Sequence, residues 1–548
     1  MDEMNAVPPR AKAIRALASP QFDVVVIGGG ITGAGVARDA ARRGFRTALI
    51  ERDDFAAGTS SRSSRLVHGG VRYLEHGWFH LVFEASRERR RLLDNAPHLV
   101  QPLRFTWPVY EDQRLAKWEI GAGLLLYDVL ALYQNVGKHK RLTAERVIER
   151  EPGLLTDGLH GGAVYWDAAT DDARLTLANA LDAEAAGAAL LNHAEVTGLT
   201  QARGRVSGVV VRDRISGQTI RVRSHVVVNA TGPWSDEVRA WEDAAAPAGV
   251  RGTKGVHLLV PRDRVRNEGA ITLLHPEDQR VMFVLPAGAY TIIGTTDTPT
   301  DADPDEVRAN AADVDYLLSA VNHFFERAAL TADDVITAWA GIRPLAASKG
   351  SAAPSSQSRE HDLDVGAGGV IAVSGGKLTT YRAMAEEIVD LVAEHLDRDG
   401  NKSDTAHAPL PGGDLENVDE TVALAVDACT DRRIAVRLVH AYGSRWRTVW
   451  NLGEAAPHLC SRIAPPSDAI RGEVVHAARH EHARTLSDVL IRRTHVAFET
   501  RDHGLDSAED TAALMGRELG WDAAATNDAL AAYRADIRRL FTIEPAPK

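Results

Sequence analysis

Apolar and polar positions follow several distinct rhythms along the chain, and each predicts its own element. Val24 to Ile27 is a short β-branched run, the composition of a strand buried on both faces. Ala34 to Arg43 reads as the helix after it, and Thr47 to Ile50 as a second buried strand. Alternating valines at 206–211 and again at 220–228 predict two strands separated by a Ser216-Gly217 turn. Three strand runs lie within 251–300, RGTKGVHLLV, VMFVLP and YTIIGTTDTP, with turn residues between them, and they suit an antiparallel sheet. GVIAVSGGKLTTYRAMAEEIVDLV predicts a further strand and a helix from about Thr380. Helices are predicted at 79–93, 121–133 and 174–188, and 415–548 reads as helix-rich. On the 79–93 helix, Arg87, Arg89, Arg90 and Arg91 are expected to form a wet face.

Glycine spacing adds chemistry to the first of these elements. Gly28, Gly30 and Gly33 form G-x-G-x-x-G where the first strand turns into its helix. The first glycine permits the tight turn, the second lets backbone approach a pyrophosphate, and the third lets helix pack close to strand. Ile31 and Thr32 lie between them, at a helix N-terminus that favours phosphate charge. Glu51 closes the second strand, where an acid meets a ribose hydroxyl. Strand, glycines, helix, strand and acid in that order predict a dinucleotide site; the alternative is a glycine-rich turn that binds nothing. The loop that follows crowds Thr59, Ser60, Ser61, Ser63 and Ser64 with Arg62, Arg65 and Arg72, offering hydroxyls and amides to phosphate or flavin. Leu66, Val67, Val71, Tyr73 and Leu74 make it too apolar to be only a solvated turn.

Length and charge narrow the picture. A chain of 548 residues is too long for one core, so two or three domains are expected. A net charge of −12 argues against nucleic acid and requires any anion site to be built locally. Cys429 and Cys460 make no disulfide framework and no C-x-x-C pair, which suits a reducing, cytoplasmic setting. The strongest membrane-helix candidate, Gly121 to Tyr133, is too short and contains Asp128. Residues 1–20 lack the apolar core of a signal peptide and are expected to be a disordered lead-in. Any membrane contact is therefore expected to be peripheral.

The opening, the HGGVRYLEHG segment at 68–77 and two later motifs resemble the FAD-dependent, membrane-associated glycerol-3-phosphate dehydrogenases, from about residue 22 into the C-terminal helices. The resemblance implies an α/β chain with a two-dinucleotide-binding-type FAD fold, an interleaved antiparallel-sheet substrate domain and a C-terminal helical domain. The FAD-binding domain is then expected at 21–95, 165–250 and 340–396, and the substrate-binding domain at 96–164 and 251–339. A linker at 397–414 and the helical domain at 415–548 complete the expected organisation. VVVNATGPWSD carries a strand ending in Ala230, Thr231 and Gly232, with Trp234 or Ser235 starting a helix. It resembles the second cofactor contact of such flavoproteins and decides for FAD over NAD. Implied cofactor contacts also include Leu66, His68, Gly69, Gly70, Val196 and Asp297. The Gly375-Gly376-Lys377 turn with Leu378 and Thr379 resembles the last FAD motif of the family. It is no phosphate loop of the nucleotidase type, since Ile371 and Leu378 occupy positions that need glycine and Ser or Thr. Asp397, Asp399 and Asn401 have the spacing of early EF-hand ligands, but Lys402 and Ala408 exclude calcium. His476 and His480, four apart on a helix, are expected on a solvated face with no metal.

An organic phosphate carries close to two negative charges, so an acidic protein must hold it in a focused pocket. Arg72, Arg343, Arg359, Lys377 and His257 are the candidates, with Tyr73 beside Arg72. Arg72 and Arg359 are favoured for the phosphate because a guanidinium fork fits its oxygens in pairs. Arg343 lies among small and apolar neighbours in WAGIRPL and needs an anionic partner. The resemblance implies oxidation of sn-glycerol 3-phosphate to dihydroxyacetone phosphate, hydride passing to FAD and electrons to a membrane quinone at the inner face of the cell membrane. His257, whose KGxH segment is implied to line the pocket, is favoured over Arg343 to take the hydroxyl proton, and Lys377 to polarise the oxyanion. An oxidase that uses oxygen, an amine or amino-acid oxidase, and a flavoprotein with purely structural FAD are the competing readings. No quinone motif is evident, and a homodimer stays open.

Overall fold

The computed structural model describes residues 9–18, 21–111, 113–114, 117–131, 135–325, 327–347, 361–398 and 400–546; the side chains of Pro9, Arg72, Glu75, His76 and Lys117 also fall outside that description. Among the described residues, eight strands form one sheet and ten another. The first sheet runs His361–Val365, Ile371–Gly375, Thr219–Asn229, Phe22–Ile27, Thr47–Ile50, Ala189–Leu191. Phe22–Ile27 is parallel to both neighbours, with Val24 beside Val226 on one side and Thr47 on the other. All six of its residues are buried because helices cover one face and the antiparallel strands Ala194–Ala202 and Arg205–Asp213, with Leu17, cover the other, which explains the unbroken apolar run. The helix Ile31–Arg42 packs between the helices Asp172–Ala185 and Tyr381–His395.

The second sheet is largely antiparallel. Its spine is Val250–Pro261, Tyr290–Gly294, Val281–Ala287, Ala270–Leu274, Val100–Tyr110 and Leu159–Thr170. Thr337–Ala346 pairs along the outer side of Val250–Pro261. Two expected boundaries therefore move: the strands Leu159–Thr170 and Thr337–Ala346 both belong to this sheet and cross the divisions drawn at 164/165 and 339/340. The C-terminal helices Arg471–His480, Ala508–Leu519 and Ala523–Phe541 close over it in one shared apolar core, and Arg432–Tyr442 packs in a separate cluster with Val418–Cys429.

Three further expectations are corrected. Pro9–Ala18, within the expected disordered lead-in, is a helix with Leu17 fully buried. Its Arg10 pairs with Asp213 and donates to the Asn192 carbonyl at 2.8 Å. The 397–414 stretch is irregular yet no slack linker. The Ser403 and Thr405 hydroxyls donate to Asp39, Arg38 Nη2 donates to the Ala408 carbonyl at 2.8 Å, and the Leu410 amide to Asn95 O at 2.8 Å. These bonds satisfy backbone that would otherwise be buried unpaired. Arg89 leaves the wet face of the helix Phe79–Asn95: it is buried, pairs with Asp167 and donates to the Tyr127 hydroxyl at 2.8 Å.

Candidate active site

The glycine turn is a place where side chains cannot fit. Gly28 has φ of +103°, and a Cβ there would lie 2.7 Å from the Ala230 carbonyl oxygen. A Cβ on Gly33 would fall on the Gly28 carbonyl oxygen. The first helix turn thus abuts both strands, and its amides face a cavity. Ile31 N donates to Ser60 Oγ at 2.9 Å, drawing the 59–61 turn onto the helix end. Glu51 is half-buried and accepts from Gly29 N at 2.5 Å and Asp53 N at 2.8 Å. Burial, then the neighbouring Asp53 carboxylate, pushes its pKa up to about 7. Asn229 Oδ1 accepts from both the amide and the hydroxyl of Thr231, fixing the Ala230–Gly232 turn opposite.

The cavity between these turns measures about 900 Å³. Glu51 and Val196 line one end; Gly28, Gly30, Ile31, Thr32, Thr59 and Ser60 line the middle, with Ala230, Thr231, Gly232 and Trp234 opposite. Leu66, His68, Gly70, Tyr73, Gly376, Lys377 and Leu378 line the far end, where His257, Asp297 and Arg343 also converge. Gly33, Ser61, Gly69 and Thr379, expected as cofactor contacts, do not line it. Each shapes the wall from behind. Gly33 packs helix to strand, Ser61 is buried, and Gly69 N donates to Asp167 at 3.0 Å. Thr379 Oγ1 accepts from His68 N at 3.1 Å.

The chemistry at the far end depends on paired strands whose glycines make room. His257 lies beside Gly294, and a Cβ on Gly294 would overlap the imidazole. A Cβ on Gly255 would overlap the Arg343 guanidinium. His257 Nε2 and Ser64 Oγ share a hydrogen bond of 2.8 Å, and its ring stacks on Trp339 at 5.2 Å. Its Nδ1 is buried and finds no partner among the described residues. Burial first, then Arg343 and Arg65, depress the His257 pKa to about 3, so the ring is neutral near pH 7. The anionic partner that Arg343 needs is Asp297, whose Oδ1 it meets at 3.1 Å; it also donates to Thr295 Oγ1 at 3.0 Å. Lys377 Nζ rests 3.8 Å from the centre of the Tyr73 ring. Arg280 lines the same end and donates to the Asp297 carbonyl at 2.9 Å. The Arg72 side chain and Arg359, both expected at the phosphate, lie outside the described residues.

Residues 23–391 match the family described as FAD dependent oxidoreductase, and 403–526 match the C-terminal domain of alpha-glycerophosphate oxidase. Glycerol-3-phosphate dehydrogenase 2 of Mycobacterium tuberculosis is 40% identical over 546 residues, 98% of this chain and 92% of that protein. The aerobic glycerol-3-phosphate dehydrogenase of Staphylococcus saprophyticus is 36% identical, covering 96% of each. A crystal structure of the Bacillus halodurans glycerol-3-phosphate dehydrogenase complexed with FAD superposes with a TM-score of 0.80, at 33% identity and 97% coverage of both chains.

The chain belongs to the FAD-dependent glycerol-3-phosphate dehydrogenase family.

Its cofactor is FAD, and the glycine cradle, Glu51 and the long cavity suit that molecule from ribose to ring. In this dehydrogenase fold the helical C-terminus takes part in the site. Phe498 meets Trp339 edge-on at 5.3 Å, directly behind the stacked His257, and the Arg65 guanidinium lies 5.0 Å from the Phe498 ring. Arg280 escaped the sequence reading because it precedes VMFVLP in an ordinary turn, where nothing separates it from a surface arginine. Asp54, His193 and Asp488 come within 4.8 Å of one another, but two arginines occupy the space a cation would need. Arg492 bridges Asp54 and Asp488, and Arg493 takes both Asp54 oxygens. His476 corrects the solvated-face expectation: it packs edge-on against Tyr442 at 5.2 Å and burial lowers its pKa.

Proposed function

We propose that the chain oxidises sn-glycerol 3-phosphate to dihydroxyacetone phosphate and passes the electrons to a membrane quinone, working peripherally at the inner face of the cell membrane. One observation carries the substrate: in a chain of net charge −12, Arg280, Arg343 and Lys377 gather with a neutral His257 at one end of the FAD cavity. A phosphate dianion suits that local excess of cation. The names of the relatives support the same substrate.

Bound FAD supplies a two-electron acceptor. The remaining work belongs to the protein. Arg343 is held in one pose by Asp297 and the Thr295 hydroxyl, so its guanidinium is preorganised for an anionic oxygen. Lys377, braced on Tyr73, offers a point charge to the oxygen that becomes carbonyl. His257 is already in its acceptor form and takes the hydroxyl proton at Nε2, the nitrogen that meets Ser64. A bound dianion offsets the arginine charges that depress His257, which raises its basicity as substrate arrives.

The matching C-terminal domain is named for an oxidase, which favours keeping oxygen as a second acceptor. Anaerobic mixing with sn-glycerol 3-phosphate should bleach the flavin absorbance, and a quinone should restore it. An unbleached flavin refutes the substrate. Rapid recovery in air with stoichiometric hydrogen peroxide, and none with quinone, refutes the acceptor.

A further inference from the structure

The turn Thr59–Ser61 looks two ways. Ser60 meets the glycine cradle through Ile31 N, and Thr59 Oγ1 donates to the Ile342 carbonyl at 2.7 Å. Arg62 leaves the turn in another direction. Its Cβ packs beside Gly341, and its side chain runs toward the C-terminal helices. There it lines a branch of the cavity with Arg492 and with Arg539 of the helix Ala523–Phe541. Trp339, Ile491 and Phe541 close a small void behind it. Ala532 and Ala535 of the same helix line this branch and are exposed, so the branch opens to solvent.

The hydrogen-bond partners single out Arg62. Arg52, at the mouth, donates to Asp305 at 2.5 Å. Arg539 donates to Asp536 Oδ1 at 3.0 Å and to the Asp305 carbonyl at 3.3 Å. Arg492 is held by Asp54 and Asp488. Arg62 donates to the Ala57 carbonyl at 3.1 Å, and among the described residues no carboxylate pairs with it. Burial, then Arg539 and Arg492, lower its pKa to about 10, so it keeps its charge at neutral pH. A half-buried guanidinium crowded by two others is costly unless an anion joins them, and a chain of net charge −12 has no general need for cations there. The FAD diphosphate is matched elsewhere, by the amides at the start of Ile31–Arg42 on the Ser60 side of the turn. The cations of the substrate end, Arg280, Arg343 and Lys377, form a different group.

We infer that Arg62, Arg492 and Arg539 form a second anion subsite, at the seam between the 57–62 loop and the helix Ala523–Phe541, which takes a small phosphate-type oxyanion on the FAD-loaded protein. The planar guanidinium fork of Arg62 has N–H groups beyond the one that meets Ala57, and such a fork fits phosphate oxygens in pairs. An anion held there touches the cofactor loop and the C-terminal helix at once. Its binding therefore ties the helical domain to the turn that packs on the FAD cradle, and it should slow FAD release. The subsite does not depend on which alcohol the enzyme oxidises.

The test is calorimetric titration of the FAD-loaded protein with inorganic phosphate at constant ionic strength in chloride. The protein should take up a second phosphate besides the one at the substrate end. Arg280→Ala should weaken the substrate-end phosphate and leave the second in place. Arg62→Gln should weaken the second at least about ten-fold, the scale of one charge-assisted bond, and Arg62→Lys should recover part of the loss. Arg539→Gln, at a partly exposed position, should weaken it about three-fold, and it carries the test if Arg62→Gln fails to fold. Methyl phosphate titrated in the same way separates the two sources of this chemistry: tighter binding than phosphate marks a phosphate ester as the occupant, and weaker binding marks the free ion. Phosphate uptake at the substrate end alone overturns the inference. So does an Arg62→Gln isotherm equal to that of the wild type. Weaker FAD binding in Arg62→Gln with that isotherm unchanged overturns it too, because Arg62 then serves the cofactor's own diphosphate.

Discussion

Asp54 offers a demanding test of how the C-terminal helices are tied to the cofactor site. Its carboxylate is fully buried three residues beyond Glu51. Oδ2 accepts from Arg492 Nε at 2.6 Å and Arg493 Nη1 at 2.7 Å, and Oδ1 from Arg493 Nη2 and Asn192 Nδ2 at 3.0 Å each. Asp54→Asn keeps the shape but puts an NH2 group where an oxygen stood. In either orientation two donors then face donors, and the net negative charge between two buried guanidiniums is gone. Two charge-assisted bonds at about 1.5–3 kcal/mol each put the loss near 3–6 kcal/mol. Breaking a buried ion pair from one side gives the same scale, about 3–5 kcal/mol. That is a large fraction of the roughly 5–15 kcal/mol a folded domain has in hand. The control is Asp404→Asn, which breaks a bidentate pair with Arg42 whose carboxylate is 56% exposed and should cost no more than about 1 kcal/mol. Urea unfolding of both variants, with released FAD followed by fluorescence, measures the difference. Asp54→Asn should unfold at clearly lower urea and lose FAD earlier. A midpoint shift no larger than that of Asp404→Asn refutes the reasoning.

Other consequences follow from the same geometry. His257→Asn should retain FAD but slow flavin reduction about 10²–10⁴-fold, measured by anaerobic stopped flow; an unchanged rate and pH profile would exclude it as the proton acceptor. Arg280→Ala should raise KM for glycerol 3-phosphate about ten- to a hundred-fold with FAD content intact, the scale of one charge-assisted bond; a loss confined to kcat would place Arg280 elsewhere in the chemistry. Glu51, raised to about 7 by burial and Asp53, is protonated more in the folded apoprotein than in the unfolded chain between its ordinary 4.5 and 7. Its contribution to apoprotein stability therefore falls as pH rises through that window. Ribose hydroxyls donate best to the ionised form, so FAD binding should release a proton and tighten from about pH 6 to about pH 8. Glu51→Gln should flatten that dependence in a fluorescence titration, and equal wild-type affinities at the two pH values would remove Glu51 from the ribose site.

The cofactor cradle was legible in the sequence because its requirements are local. Strand, tight turn, helix and acid follow within 29 residues from Asp23 to Glu51, and Gly28 and Gly33 each answer a backbone approach that no side chain survives. The Ala230–Gly232 and Gly375–Leu378 turns were read through the family resemblance, and in the fold both follow strands that pair in parallel within one sheet. The wet face assigned to Arg89 failed for the opposite reason: helical spacing says which residues share a side, and only packing says what covers that side.

Pairing and burial were decided by the tertiary structure alone. No spacing rule joins Arg493 to Asp54 across 439 residues, or gives Arg343 its partner Asp297. His257 has an ordinary histidine's basicity on paper. It is neutral here because Trp339 and Phe498 exclude water while Arg343 and Arg65 crowd it with positive charge. Short-range backbone geometry is fixed by neighbouring residues, whereas the cost of a charge depends on the dielectric and the partners around it. Those are set only when segments from opposite ends of the chain close on one another.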